Sequence, residues 1–330
     1  MKAIVHEGKT GIEGISYRDM SALEPRAGEV RVKLKTAGLN HRDLFVLNYH
    51  KPNESPLIIG SDGAGVISAI GNGVLTVQVG DEVIINPGLG WRERSDSPPK
   101  GFEVLGFPSD GTFAEQVVVP AENVAQKPKH LTWEEAGVLS LAGLTAYRAL
   151  FTRGGVHSGM KVLIPGIGSG VSTLLLQFAK AVGAKVFVTS RSKDKCKKAL
   201  ELGADKAIDT SDDWNKAFGK EKMDLVIDSI GTATFNKSLD QLRKGGSVVT
   251  FGASSGEDAQ INIRKFFQGQ YNLLGSSMGS TEEYNEMIDL IQTHQIRPIL
   301  DEMYPLSQFQ QAFSRMQAAA QLGKIGFIID

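Results

Sequence analysis

Up to about residue 125 the apolar positions come in short runs, at 30–34, 65–70, 82–85 and 115–119, each cut by Gly, Pro or Asp. Short runs broken by turn residues predict strands of a twisted antiparallel assembly with polar connections. Beyond that point the pattern changes. Residues 161–164 form a short apolar strand, followed by a glycine-rich turn and a helix through Ala181; 185–189 form another, followed by a helix to about Leu202. The runs at 207–208, 225–227, 247–251 and 271–274 continue the series at helix-length intervals. Nearly continuous apolar strands alternating with helices predict a parallel sheet covered on both faces. Six strands in this order suit the doubly wound α/β fold. In the tail, 281–294 reads as an amphipathic helix, 305–322 contains another, and 323–329 reads as a strand returning to the first domain. The expected organisation is therefore a six-stranded domain, residues 126–275, inserted into a mostly β domain made of 1–125 and 276–330.

Length and composition agree with two soluble domains: 330 residues are many for one core, and 41% hydrophobic with 22% charged residues is ordinary for a globular chain. A formal net charge of -1 gives no reason to propose nucleic acid or an anionic membrane as partner. No apolar run approaches the ~20 residues that span a bilayer, and the first residues lack the apolar core of a signal peptide. Cys196 is the single cysteine, so neither an internal disulfide nor a cysteine-built zinc site is available. This fits a reducing compartment, and a cytoplasmic protein is expected.

The turn Gly166-Ile167-Gly168-Ser169-Gly170-Val171-Ser172 follows a strand and opens a helix. Small residues let a pyrophosphate approach the backbone, and a helix N-terminus offers free N–H groups and a favourable dipole. The spacing departs from the plain fingerprint, because Ser172 stands where a last Gly is expected. About 20 residues on, an NAD-binding site would place Asp or Glu at the strand end. Here Ser190, Arg191 and Lys195 stand there instead, which suits the dianionic 2′-phosphate of NADP(H). A ligand-free turn and a solvated basic helix start are the bland alternatives. Ligands of such sheets lie beyond the strands' carboxyl ends, so Phe251, Gly252, Ser276 and Met278 are expected to border the cofactor.

At this point the chain resembles the medium-chain dehydrogenase/reductase superfamily over nearly its whole length. The resemblance rests on Ala37-Gly38-Leu39-Asn40-His41-Arg42-Asp43, Gly60-Ser61-Asp62-Gly63-Ala64-Gly65-Val66, Val79-Gly80-Asp81-Glu82-Val83, Gly111-Thr112-Phe113-Ala114-Glu115, Leu141-Ala142-Gly143-Leu144-Thr145-Ala146-Tyr147 and Gly323-Lys324-Ile325. It is similar above all to the zinc-less quinone oxidoreductase-like branch. The resemblance implies a GroES-like catalytic domain carrying an inserted Rossmann domain, and a homodimer paired through the sixth strand near 271–274. Asn40 takes the position of the first zinc ligand, Ser61 that of the ligating His, with Asp62 following in place of Glu, and Leu141 that of the third ligand. Arg42 replaces the proton-relay hydroxyl, and the loop 88–111 lacks the structural cysteines. No metal is expected, although Asp43 and Asp62 leave a hard-ligand site conceivable.

Losing zinc bears on the chemistry. A bound zinc that moves the pKa of water from ~15.7 to ~7 supplies roughly 12 kcal/mol of charge stabilisation. One hydrogen-bond donor supplies about 3–4 kcal/mol. Alkoxide chemistry is then unsupported, whereas a quinone or α,β-unsaturated carbonyl yields a delocalised product that one or two donors steady. The resemblance thus implies hydride transfer from NADPH to a quinone, enone or other carbonyl, by positioning and exclusion of water. Asn40, with donors for a substrate oxygen, Asp43 and Tyr49 are the catalytic candidates; His41 and Thr145 are cofactor candidates. Each has a structural alternative: a turn cap for Asn40, a helix start for Asp43, a pocket wall for Tyr49, a surface position for His41 and a back-bonded helix Thr for Thr145. A zinc-type alcohol or aldehyde dehydrogenase-like enzyme and a catalytically weak NADPH-binding protein are the competing functions.

Overall fold

The structure, a computed structural model, covers residues 1–330. The chain forms two compact units, one of Met1–Ala142 with Gly279–Asp330 and one of Gly143–Met278.

The first unit is built on β1 (Lys2–His6), β2 (Ile15–Asp19), β3 (Glu29–Leu39), β4 (Leu57–Ile58), β5 (Asp62–Ile70), β6 (Glu82–Ile85), β7 (Gly88–Leu89), β8 (Glu103–Val104), β9 (Gln116–Pro120) and β10 (Val124–Gln126). After the second unit's β11 (Lys161–Ile164), β12 (Lys185–Ser190), β13 (Lys206–Asp209), β14 (Met223–Asp228), β15 (Leu242–Thr250) and β16 (Asn272–Gly275), the first unit resumes with β17 (Leu300–Pro305) and β18 (Lys324–Ile328). Its helices are α1 (His41–Tyr49) and α2 (Trp133–Gly137). α3 (Ser140–Tyr147) leads into the second unit's α4 (Gly170–Ala181), α5 (Lys193–Glu201), α6 (Trp214–Phe218), α7 (Phe235–Gln241) and α8 (Ile263–Gly269). α9 (Thr281–Thr293) and α10 (Phe309–Gln317) close the chain's helices.

The main sheet of the first unit runs β10-β6-β5-β3-β18-β17, with β9 also on β3; β2-β1-β4 and β7-β8 form smaller sheets. Pairing is antiparallel throughout except between β17 and β18. Val30, Val32 and Leu34 of β3 are buried in alternation, as one covered face requires. From Thr36 onward every residue of β3 is buried, because β18 pairs there, Ile325 opposite Leu39 and Phe327 opposite Ala37. α10 buries Phe309, Ala312, Phe313 and Met316, the spacing of one helical face. Phe313 and Phe327 both meet the ring of Phe113 edge-on, at 6.4 and 4.9 Å between centroids. Truncating any one of these rings to Ala costs about 3–5 kcal/mol.

The division between units falls later than the expected 125/126 and 275/276. Residues 126–142 stay with the first unit because β10 pairs with β6 and α2 packs on β3, β5 and β18. Ser276 and Met278 stay with the second because the Ser276 N–H donates to the Thr250 carbonyl and Met278 meets Thr145.

The second unit is one parallel sheet in the order β13-β12-β11-β14-β15-β16. Residues 162–164 and 225–227 are wholly buried, as strands covered on both faces demand. The strand order reverses between β11 and β14, the switch point where such sheets open a crevice beyond the strand ends.

Candidate functional site

In the second unit, the β11–α4 turn lies at that switch point. Gly166 has φ 72° and Gly168 φ 144°, backbone that side chains rarely adopt. Space is as restrictive as conformation. A Cβ on Gly166 would lie 2.5 Å from Ile230 Cδ1, and one on Gly168 would lie 2.9 Å from Lys195 Cδ and 3.2 Å from its Nζ. The lysine of α5 therefore folds over the glycine turn. Inside the turn, the Ile167 N–H donates to the Thr189 carbonyl (2.8 Å) and the Gly168 N–H to Ser172 Oγ (3.0 Å). Ser172 is the reason the spacing departs from the plain fingerprint: its buried hydroxyl ties the turn to α4. Ser169 caps that helix, accepting from the Ser172 N–H at 3.1 Å. The half-buried Gly170 and Val171 amides at the helix start have no intrahelical acceptor and remain for an anion.

At the end of β12, Ser190 is buried and its Oγ accepts from the Ser192 N–H at 3.2 Å, while Arg191 is exposed. Asp209 stands in register opposite Ser190, but its carboxylate is engaged by the Ser211 N–H and hydroxyl at 2.8 and 2.7 Å. Burial pushes the neighbouring Cys196 thiol up, away from a reactive thiolate. Gly252 lies against Ser229, so the ends of β14 and β15 adjoin. Ser276 Oγ is buried without a partner, and the Thr145 hydroxyl faces Met278 Sδ at 4.0 Å. Sequence reasoning missed Asp228. This buried carboxylate ends β14 and accepts from the Ile230 and Gly231 N–H groups (2.8 and 3.2 Å), Thr234 Oγ1 (2.8 Å) and Ser238 Oγ (2.6 Å). It fixes the loop whose Ile230 backs Gly166.

In the first unit, Asn40, Asp43, Asp62 and Lys324 form a buried polar cluster. Asn40 precedes α1, and its backbone N–H donates to Asp43 Oδ2 at 2.7 Å, as in a capped helix start. The Asn40 side chain donates from Nδ2 to Asp62 Oδ2 (2.9 Å) and the Gly38 carbonyl (3.3 Å). Its Oδ1 accepts from Lys324 Nζ. Both amide hydrogens are thus engaged inside the unit, so the expected donation from Asn40 to a substrate oxygen does not fit this geometry. Lys324 also donates to Asp62 Oδ2 and the Leu39 carbonyl, each at 3.1 Å. Asp62 Oδ1 accepts from the Leu141 N–H at 2.6 Å.

Asp43 Oδ1 is buried with no partner. Burial pushes its carboxyl up to about 7, against the pull of Arg42 and Lys324. It orients the helix start but not Arg42, whose guanidinium donates to Ser61 Oγ and to the carbonyls of Val104, Leu105 and Phe107. Tyr49 is 62% exposed at the far end of α1, about 13 Å along the axis from Asn40. The structure does not bring it to the cluster. His41 is exposed, with Phe45 edge-on to its ring at 5.1 Å. His6 and His50, also missed, form a buried pair with Nδ1 atoms 2.8 Å apart.

A β-rich unit built from both chain ends, with a six-stranded parallel sheet inserted, is the architecture of a two-domain oxidoreductase. Comparison with known proteins is specific on both halves: residues 26–129 match the family model described as alcohol dehydrogenase GroES-like domain, and residues 170–293 that described as zinc-binding dehydrogenase. A zinc-type alcohol dehydrogenase-like protein of Schizosaccharomyces pombe is 33% identical over 100% of this chain and 99% of its own length. A crotonyl-CoA reductase of Streptomyces collinus is 32% identical over 82% of this chain and 67% of its own. A crystal structure described as an NAD-dependent alcohol dehydrogenase superimposes with TM-score 0.94 at 34% identity, covering both chains completely. The chain belongs to the medium-chain dehydrogenase/reductase superfamily, and it is an oxidoreductase of that family.

The family model's name implies zinc, and the residues here do not fit it. Zinc takes thiolate, imidazole and carboxylate ligands. The positions that the resemblance assigns carry Asn40, Ser61 and Leu141, and no cluster of three His, Cys, Asp or Glu is present. Of the remaining hard donors, Asn40 Oδ1 and Asp62 Oδ2 already hold the Lys324 ammonium. The nicotinamide cofactor fares differently. The glycine turn places the first amides of α4 at the switch point, and Ser276 offers an orphaned hydroxyl.

Proposed function

We propose that the chain is an NADPH-dependent, zinc-independent reductase of quinones and α,β-unsaturated carbonyls. The observation that carries this reading is the donor set around Asn40 and Asp62, which holds an ammonium and gathers no three zinc-type ligands. Without a Lewis acid, the favoured acceptors are those whose reduced form is already delocalised.

The Gly170 and Val171 amides hold the cofactor pyrophosphate, and Arg191 with Lys195 holds the 2′-phosphate, Ser190 lying at their base. Gly166, Gly168 and Ser169 shape the turn, and Thr145, Phe251, Gly252, Ser276 and Met278 border the nicotinamide half. Bound NADPH supplies a hydride. Asn40 and Asp43 act as positioning residues of the first unit, because their polar atoms hold one another, the start of α1 and Lys324. Support for conjugated acceptors comes from the crotonyl-CoA reductase relative and from an acryloyl-coenzyme A reductase of Sulfurisphaera tokodaii, 27% identical over 98% of this chain. The chain acts as a homodimer. Ile263, Phe267 and Leu273, 69%, 56% and 41% exposed on α8 and the edge strand β16, support pairing along that edge.

A second reading, an NAD-linked alcohol dehydrogenase, is favoured by the name of the 34% identical structure. One assay separates the two: cofactor oxidation with quinones, enones and aldehydes, using NADPH and NADH in parallel, and the reverse reaction with alcohols. Turnover of enones or quinones with NADPH supports the proposal. Zinc-dependent alcohol oxidation with NAD overturns it, and tight NADPH binding with no turnover points to a non-catalytic binding protein.

A further inference from the structure

Lys324 opens β18 and is 4% exposed, in a strand otherwise made of Ile325, Gly326, Phe327 and Ile328. A lysine has three ammonium hydrogens and no acceptor. All three have a partner here: the Leu39 carbonyl, Asn40 Oδ1 and Asp62 Oδ2. The ammonium is therefore dehydrated, fixed by three elements and matched to a fully buried carboxylate. It also decides which way the Asn40 amide points. Only an oxygen can face an ammonium, so Nδ2 must face Asp62 and Gly38, where two acceptors wait.

We propose that Lys324 is the resident cation of this cluster, a built-in charge on Asn40 and Asp62 that balances the Asp62 carboxylate, orients the Asn40 amide and keeps divalent metal out. A metal ion seeking these two oxygens would have to share them with a positive charge, since the ammonium lies within hydrogen-bond reach of both. Asp43, the other buried acid, does not supply an alternative. Its Oδ2 is tied to the start of α1, its Oδ1 has no hydrogen-bond partner, and no third His, Cys, Asp or Glu joins Asp43 and Asp62. Lys324 is thus a positioning residue, acting through Asn40 and Asp62. The inference stands on the first unit's geometry and does not depend on which substrate is reduced.

The test uses the full-length protein and no turnover assay. Calorimetric titration of the purified protein with zinc and with cobalt, followed by metal analysis after desalting, is expected to show no stoichiometric binding. One tightly held ion per chain, coordinated at Asn40 or Asp62, overturns the proposal. Charge balance is read from melting of wild type, Lys324→Met, Asp62→Asn and the double variant. Lys324→Met alone leaves a buried carboxylate uncompensated, so it is expected to melt lowest, and adding Asp62→Asn is expected to raise the melting point again. If Lys324→Met does not fold, a soluble double variant supports the inference, and a double variant that fails while Asp62→Asn folds refutes it. Additive losses also refute it. The Asn40 side-chain amide in nitrogen-15 spectra reports orientation: two slowly exchanging hydrogens in wild type, and loss of that protection in Lys324→Met. Unchanged protection overturns the positioning role.

Discussion

Replacing Asp43 by Asn tests the electrostatics of the first unit most directly. The carboxyl is buried, its Oδ1 has no partner, and burial raises it from an ordinary 3.8 to about 7. Between those two values the folded chain holds a proton that the unfolded chain releases. Stability therefore falls as pH rises across this window, by up to ~1.4 kcal/mol for each pH unit. Over the whole window the ionised form loses about 4 kcal/mol, an upper bound because the unfolded chain retains some structure. Above about pH 7 this contribution is flat. An Asn at position 43 keeps an oxygen for the Asn40 N–H and has no charge to desolvate. Urea unfolding at pH 5, 6, 7 and 8 is the assay. Wild type is expected to lose stability from pH 5 to 7 from this group and level off by pH 8, and Asp43→Asn to lose about 1 kcal/mol less per pH unit up to pH 7 and to be the more stable of the two at pH 8. Parallel curves for the two proteins would refute the reasoning, since they would mean that Asp43 is ionised in the folded state at little cost.

Further expectations address the second unit. Gly168→Ala sets a side chain at φ 144° against Lys195, so NADPH affinity by fluorescence titration should drop about tenfold or more and stability by about 1–3 kcal/mol. Arg191→Ala should raise the KM for NADPH about tenfold, the worth of one charged hydrogen bond, and leave that for NADH unchanged; an equal effect on both cofactors would remove the 2′-phosphate assignment. Asp228→Ala strands the four donor groups that converge on it, and chemical denaturation should show a loss of about 3 kcal/mol or more. Phe267→Glu, on the exposed face of α8, should shift sedimentation from dimer to monomer with the melting point of the monomer unit preserved.

The parallel sheet was legible because each of its strands is a local apolar run, visible without knowing any partner. The second half of β3 was not, since its full burial depends on β18, a strand almost 300 residues away that covers it. β17 escaped for the opposite reason. It is an edge strand carrying Asp301 and Glu302, largely unburied, and it shows no apolar pattern to read. The same contrast governs the two polar sites. Gly166 to Val171 and Ser190 to Lys195 act through local backbone and adjacent charge, so the sequence displays them. Asn40 was assigned free donors because its side chain can be read from the sequence but its partners cannot. Lys324 and Asp62 stand 284 and 22 positions from it. Lys324 lay within a segment that carried the family resemblance, and the signal available was a lone lysine at the head of an apolar strand. Tyr49 was chosen for its phenol, but distance along a helix, not residue type, decides whether such a group can serve.

The first unit takes β18 from beyond the second unit, and this sets the order of events during synthesis. The second unit is one contiguous stretch, Gly143–Met278, and all of it is synthesised before residues 324–328 are made. The first unit waits, with the inner half of β3 lacking its neighbour until residues 324–328 emerge. The buried ammonium then arrives last of all the groups around Asn40. A nascent chain that stops short of it has a complete parallel sheet and an unfinished cluster, so the polar site closes only when β18 is made.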